Sequence, residues 1–467
     1  MDARTEAARA AESATERLDT LQRELSGTLV RPANDGYDEA RRVWNGLVNR
    51  YPAAIAYCES VPDVRAAVRV ARESDLPASV RSGGHHVAGS CVAAAGLVID
   101  CSRLDFVRID PDARTATVGP GATWGQLDRA ATTFGLATPG GVVSDTGVAG
   151  LTLGGGTGYL SRTHGLTADN LRAADVVCAD GELRRASAER NSKLFWALRG
   201  GDGGFGVVTA FEFDLHSIPD ELAVCDAWYP AERAPELLAD FRDYYRDAPD
   251  ETLVAPYFTT VPDTAEYPEH GGEDALVFFG TYAGNPAPGE RELERFRSYD
   301  NRIADHSERM SYPALQSAFD AGFPHGRRYY WKSVYMNELS DGVIAALREQ
   351  FGTAPSTGSS IVVWPMGGAV NRVSKDATAF RRRDAAFVCS VEAGWDDPMA
   401  NGENVAWVRE TVERLREAGA GGPIPNFEGD TDDAATKELY GEQYERLCAV
   451  KREYDSEGLF VGGRVEG

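Results

Sequence analysis

Residues 81–86 read RSGGHH, residues 139–158 read PGGVVSDTGVAGLTLGGGTG and residues 199–206 read RGGDGGFG. Glycine at this density costs backbone entropy on folding, so the folded state must recover it. Close approach of bare backbone N–H groups to an anion such as a pyrophosphate does so, because their dipoles offset its charge. His85, directly after Gly83 and Gly84, adds a second capability. Its imidazole can serve as a hydrogen-bonded loop group, as a metal ligand, or as a nucleophile that bonds a bound cofactor. The metal role lacks support, since neither HExxH nor a Cys/His cluster occurs. Adjacent His85 and His86 would also point to opposite sides of an extended backbone. Gly201, Gly203 and Gly206 match GxGxxG, but a dinucleotide-binding βαβ unit needs a strand before the glycines and a helix after them. Here helix-like NSKLFWALR precedes and strand-like VVTAFEFDL follows, and no GxxxxGK[ST] phosphate loop is present.

These clusters lie in a half of the chain, about 51–220, that mixes helices with short β-branched strands. Pro62 opens a helix with Val64, Ala67, Val68 and Ala71 on one face, ended by Asp75 to Pro77 before the strand PASV. LVIDC (97–101) reads as a strand, VRIDPDARTATVG as a hairpin turned at Pro111 and Asp112, and Thr123 as the cap of the helix TWGQLDRAATTF. Asp180-Gly181 turns a second hairpin in AADVVCADGELRRAS. From about 221 to 420 glycine thins out, and ALVFFGTY, YYWKSVYM, SSIVVWPMGG and AFVCSVEAGW read as strands of one sheet among amphipathic helices. A final helix over about 434–454 carries Leu439, Tyr444, Leu447 and Val450 at helical spacing, so it packs on a neighbour that periodicity does not identify.

A chain of 467 residues with 43% hydrophobic content is long enough for two domains. With 72 acidic and 48 basic residues, a net charge of −24 repels nucleic-acid phosphates and anionic membranes. Lysine occurs only at positions 193, 332, 375, 437 and 451, a balance that suits a salty cytoplasm as well as an ordinary acidic enzyme. Seven scattered cysteines without a CxxC pair argue against a disulfide framework or a zinc site. Residues 1–30 read as an amphipathic helix, not a signal peptide, and no later run is long enough to span a bilayer. A reduced, cytoplasmic location is the expectation.

PASVRSGGHHVAGS, GVVSDTGVAGLTLGGGTGYLSRTHGLTADNL (141–171), LFWALRGGDGGFGVVTAFEF (194–213), GRRYYWKS (326–333), MGGAVNRV (366–373) and YGEQYERLCAVKREYD (440–455) follow one another in this order. In this the chain resembles FAD-linked oxidases of the berberine bridge enzyme-like family, flavoproteins of the vanillyl-alcohol oxidase type. The resemblance implies an α+β fold, with a two-part PCMH-type FAD-binding domain and a substrate domain built on an antiparallel sheet backed by helices. Residues 1–50 would form a helical segment joining the FAD domain (51–220), 221–425 the substrate domain, and 426–467 a helical return to the FAD domain. His85 would carry FAD on a covalent histidyl bond. Arg81, Ser82, Gly83, Gly84, Gly89 and Ser90 would wrap the pyrophosphate. Gly141, Val142, Val143, Thr146, Gly147, Gly150, Gly154, Gly155, Gly158 and Tyr159 would line the flavin, joined by Gly206, Val208, Asn426, Gln443 and Tyr444.

Departures from the family pattern are informative. Val143 stands where some members place a second, cysteinyl tether, so a single tether is expected. In PIPNF, Ile424 replaces the tyrosine assigned as the family's base, and an isoleucine transfers no proton. Gln443 and Gly204 replace usual asparagines, and VGGRVEG replaces a polar tail after Phe460. The function implied is transfer of a hydride from an alcohol, sugar or secondary-metabolite substrate to FAD, with O₂ or another acceptor taking the electrons. A non-catalytic flavin-binding protein is the alternative. Lys332, Tyr330 and Tyr444, with Tyr335, are candidate replacements for the missing base, and Trp331 and Trp364 a candidate apolar or sugar-stacking wall.

Overall fold

The computed structural model describes residues 2–265, 267–430 and 432–465, so Glu466 and Gly467 of the VGGRVEG tail lie outside the described residues. Three larger sheets and a two-stranded pair, Leu136–Ala137 with His216–Ser217, organise the described residues. The first has four strands in the spatial order Thr28–Val30, Ala54–Tyr57, Leu97–Asp100, Ala78–Arg81. Its last three strands run parallel, and Leu97–Asp100 is buried along its whole length, as a parallel strand covered on both faces must be. The helix Val61–Glu73, capped by Ser60 and started by Pro62, packs Val64, Ala67, Val68 and Ala71 against it. The N-terminal helical pair Ala3–Ser13 and Thr15–Glu24 adds Leu18 and Leu21 to the same core.

The second sheet is antiparallel, with five strands ordered Val107–Asp110, Thr115–Val118, Val207–Asp214, Leu171–Val177, Leu183–Ser187. Both expected hairpins are here. Thr123 caps the helix Trp124–Thr132 through a reciprocal pair of bonds with Gln126. The first glycine cluster leaves the first sheet after Ala78–Arg81, the second follows the short strand Leu136–Ala137, which pairs with His216–Ser217, and the third leads from the helix Ser192–Ala197 into Val207–Asp214 of the second sheet.

The third sheet, of eight strands, is antiparallel and holds all four of the long strands read from sequence: Asp274–Tyr282, Arg328–Met336, Ser360–Pro365 and Phe387–Trp395. Two others, Leu222–Pro230 and Thr252–Thr260, complete its centre. Its side chains alternate between two cores. Tyr330, Val334, Ile361, Val363, Cys389 and Val391 pack on the helices Ala234–Tyr244, Asp341–Phe351 and Asn401–Glu417. Val362, Trp364 and Val388 face the first half of the chain.

The final helical segment differs from the sequence expectation by a break. Asp433–Tyr440 ends at Gly441, whose φ of +51° no continuing helix has, and Tyr444–Tyr454 starts afresh. Leu439, Leu447 and Val450 share a core with Leu194 and Trp196 of the first half. Beyond the helix the chain adds to the edge of the first sheet, where Ala78 N donates to Leu459 O and Val461 N to Ala78 O. Lys451 locks the turn: its buried Nζ meets Asp455 at 2.5 Å and donates to the carbonyls of Gly204 and Phe460 at 2.7 and 2.8 Å. Removing one partner of a buried pair leaves the other charge unsatisfied. Lys451→Ala is therefore expected to cost about 3–5 kcal/mol, read from the denaturant midpoint for release of the C-terminal helix; a midpoint equal to wild type would show that the lysine does not hold the tail.

Candidate active site

The glycine loops and the inner face of the third sheet enclose a cavity of about 520 Å³, within the range of small-molecule and cofactor sites. Arg81, buried and paired with Asp100, anchors the base of the first loop by donating to Ala40 O at 2.7 Å. Beyond it Ser82, Gly83, Gly84, His85 and Ser90 line the cavity. The second loop contributes Gly141, Val142, Val143, Thr146, Gly147, Gly150 and Tyr159, and the third contributes Gly203, Gly204, Gly206 and Val208. Two loops touch backbone to backbone: a Cβ on Gly83 would lie 2.7 Å from Gly147 N, and one on Gly147 would lie 2.8 Å from Gly83 N.

Other glycines have no structural excuse within the protein. A Cβ at Gly150, in the short helix Val148–Leu153, or at Gly203 would meet nothing within 4 Å, and both residues line the cavity. Such bare positions fit a ligand that approaches the backbone. The cavity wall also carries buried polar atoms without a hydrogen-bond partner: Tyr159 Oη, Trp331 Nε1 and Trp364 Nε1. Polar groups of a bound ligand would be in place to partner them.

Residues read from sequence as flavin-lining divide between the wall and its support. Gly154, Gly155 and Gly158 stand behind it: a Cβ there would meet Asn426 at 2.4 Å, Phe380 at 2.7 Å and Gly140 O at 2.2 Å. Gly89, with φ +62°, turns the first loop. Asn426 lines the cavity while accepting from Gly156 N and donating to Leu151 O, which ties the segment after the third sheet to the second loop. Gln443 donates to Lys375 O at 2.6 Å, and Tyr444 packs beside Lys437 on the terminal helix, so neither reaches the cavity.

None of the four candidate bases, Tyr330, Lys332, Tyr335 and Tyr444, lines the cavity, and Tyr335 lies under the Arg382 guanidinium at 3.7 Å. Along Arg328–Met336 the one described residue that lines the cavity is Trp331. Tyr330 and Lys332 have the opposite parity, and a period of two sends them to the far face. There the Tyr330 hydroxyl is bound between Asp430 and Arg409, and Lys332 Nζ donates to Asp430 O at 2.8 Å beside Glu428.

The residue that sequence reasoning missed is Glu392. It lies opposite Trp331 on one side and Ser360 on the other, on the inner face of the sheet, and is 5% exposed. Burial pushes its carboxyl up to about 7, against hydrogen bonds from Ser390 Oγ at 2.6 Å and Ser360 Oγ at 3.3 Å. The only other carboxyl among the described lining residues is Asp202, which is paired with Arg464 at 3.0 Å. A lone acidic residue in the otherwise apolar run AFVCSVEAGW was the available signal.

A half-parallel, half-antiparallel pair of small sheets whose glycine loops meet under a broad antiparallel roof defines an FAD-binding oxidoreductase fold of the vanillyl-alcohol oxidase type. Comparisons agree: the family model of an FAD-binding domain matches residues 52–187. The chain is 31% identical over 448 residues to (R)-6-hydroxynicotine oxidase of Paenarthrobacter nicotinovorans, covering 93% of this chain and 95% of that one. It is 29% identical over 457 residues to an FAD-linked oxidoreductase of Dictyostelium discoideum, covering 96% of each. The crystal structure of 6-hydroxy-D-nicotine oxidase from Arthrobacter nicotinovorans superposes with a TM-score of 0.83 at 27% identity, over 94% of this chain and 97% of that one. The chain belongs to the berberine bridge enzyme-like family of FAD-linked oxidoreductases, and it is an FAD-dependent enzyme.

Gly150→Ala separates the cofactor role of the bare backbone from its folding role. In the flavin-free protein the substitution should raise stability by about 0.5–1 kcal/mol, the ordinary gain of alanine over glycine within a helix, while weakening FAD binding measured by fluorescence titration. Unchanged FAD affinity would mean that the cofactor does not lie over this helix.

Proposed function

We propose that the chain oxidises a small ring-bearing alcohol or amine, a sugar or secondary metabolite among them, at FAD bonded to His85. The observation that carries this reading is the buried Glu392, held by serine hydroxyls with no ion-pair partner among the described residues, on the roof of a glycine-lined cavity. FAD, when bound, supplies the hydride acceptor and passes the electrons to O₂ or another acceptor. The residues do the rest. Backbone of the three glycine loops would hold the cofactor, with Ser82 and Ser90 beside Gly83 and Gly84 as hydroxyl partners. His85, lining the cavity directly after the glycine pair, would bond the ring, and Val143 offers no second tether.

Trp331, Trp364, Tyr257 and Phe427 line the sheet side of the cavity and would press a substrate ring toward the cofactor while excluding water. Glu392 would take the proton from the substrate hydroxyl or amine, the task left open by Ile424. A carboxyl held near 7 is matched to that exchange at neutral pH. The neighbouring Ser390 and Ser360 hydroxyls would hold the carboxylate in place.

Anaerobic mixing of the yellow protein with a panel of cyclic amines, alcohols and oligosaccharides is expected to bleach the flavin with at least one compound; no bleaching across the panel would favour a flavin-binding protein without turnover. A base accepts a proton only when ionised, so the reduction rate should rise with pH through about 7 and level off above it. Glu392→Gln should slow reduction by about 10²- to 10⁴-fold and remove that rise. For the tether, acid precipitation of wild type should leave the colour on the polypeptide and His85→Ala should release it; wild type losing its colour would refute the covalent bond.

A further inference from the structure

His85 is not alone in its loop. Its Nε2 lies 3.0 Å from Asp145 Oδ1, and the other oxygen of the same carboxylate meets His325 Nε2 at 2.9 Å. Asp145 comes from the second glycine loop and His325 from the turn that precedes the strand Arg328–Met336, so the cluster joins three separate segments. The His85 ring is stacked on Trp44 at 4.9 Å and 17°, and Trp44 is stacked in turn on Tyr329 at 3.9 Å and 6°. His325 stands edge-on to His85 at 5.4 Å and 87°. These contacts restrict the plane of the His85 ring and set which nitrogen faces the carboxylate.

A neutral imidazole has one N–H and one lone pair. With a carboxylate beside Nε2 the proton belongs on Nε2, and the lone pair is left on Nδ1. Among the described residues Nδ1 has no hydrogen-bond partner, and His85 lines the cavity. Nε2 and Oδ1 are within bonding distance but not aligned for a hydrogen bond, as functional pairs often are before a ligand is bound.

We propose that Asp145, steadied by His325, is a positioning residue that keeps the proton of His85 on Nε2 and so prepares Nδ1 to bond FAD. The proposal rests on the reading of His85 as the tether. In that step an Nδ1–C bond forms at the flavin's 8α-methyl carbon as one C–H bond of that methyl breaks. The methyl proton and the imidazole N–H proton are released, the latter by way of the Asp145 carboxylate. The two electrons reduce the flavin ring, and dioxygen takes them with both protons as hydrogen peroxide, which restores oxidised FAD. Burial works against charge on Asp145, yet the adjacent imidazoles of His85 and His325 outweigh it and hold its carboxyl down at about 2, so the carboxylate form is present throughout neutral pH.

The test uses the full chain produced under riboflavin limitation, mixed with FAD at several concentrations. Coupling is followed as the mass increase of the intact chain and as colour retained after acid precipitation. Asp145→Asn keeps shape and removes charge; its limiting coupling rate is expected to fall about 10- to 100-fold while the half-saturating FAD concentration stays within about twofold of wild type, a split that a merely structural defect would not produce. Coupling by D145N at the wild-type rate overturns the proposal and leaves the tether standing. Wild type that never couples overturns both. Should D145N bind no FAD, His325→Gln, at an exposed position, gives the same reading: slowed coupling with FAD binding intact supports the pairing, and an unchanged rate overturns it.

Discussion

The site depends on one contact in which no side chain takes part. Gly83 and Gly147 bring the first and second loops together so closely that a methyl group on either would fall under 3 Å from the other's backbone. That approach brings His85 Nε2 to within 3.0 Å of Asp145 Oδ1, although the two residues stand 60 positions apart in the chain. The Arg81–Asp100 pair behind the first loop and Asn426 behind the second hold the two backbones from outside.

Much of the first half was legible because its signals are local. A proline at a helix start, a capping threonine, a Asp-Gly turn and an apolar run each specify their own few residues, and the strands and hairpins they delimit are observed. Glycine density likewise marked the three loops, although it could not separate glycines that face the cavity, such as Gly150, from those that let supporting residues close in, such as Gly155 against Phe380. The break at Gly441 was hidden because the apolar spacing of the two helices runs on across it.

The catalytic side of the site was less legible, for a reason of parity. A strand buried on both faces shows no alternation in its sequence, so YYWKSVYM and AFVCSVEAGW do not reveal which half of their residues faces the cavity. Lysine and tyrosine drew attention by type, yet pairing with Asp430, Glu428 and Arg409 satisfies them on the far face. Glu392 is the reverse case, a residue ordinary by type whose buried position on the cavity wall raises its pKa, since only serine hydroxyls offset its burial. His325 and Trp44 are of the same kind: neither is near the glycine loops in sequence, and both are assembled around His85 by the packing of the third sheet on the first half.

The segment Leu459–Val461 that adds to the edge of Ala78–Arg81, continued by Gly462 and Gly463 in the cavity wall, makes the cofactor-binding unit discontinuous along the chain. Residues 51–220 cannot be excised as a flavin carrier, because the cut would strip one wall of the pocket and expose an unpaired strand directly before the first loop. The same arrangement ties cofactor retention to the roof: the tail that closes the pocket also holds, through Arg464, the carbonyls of Pro425 and Glu428. Through these two bonds the tail that completes the cavity wall is tied to the segment after the long helix Asn401–Glu417.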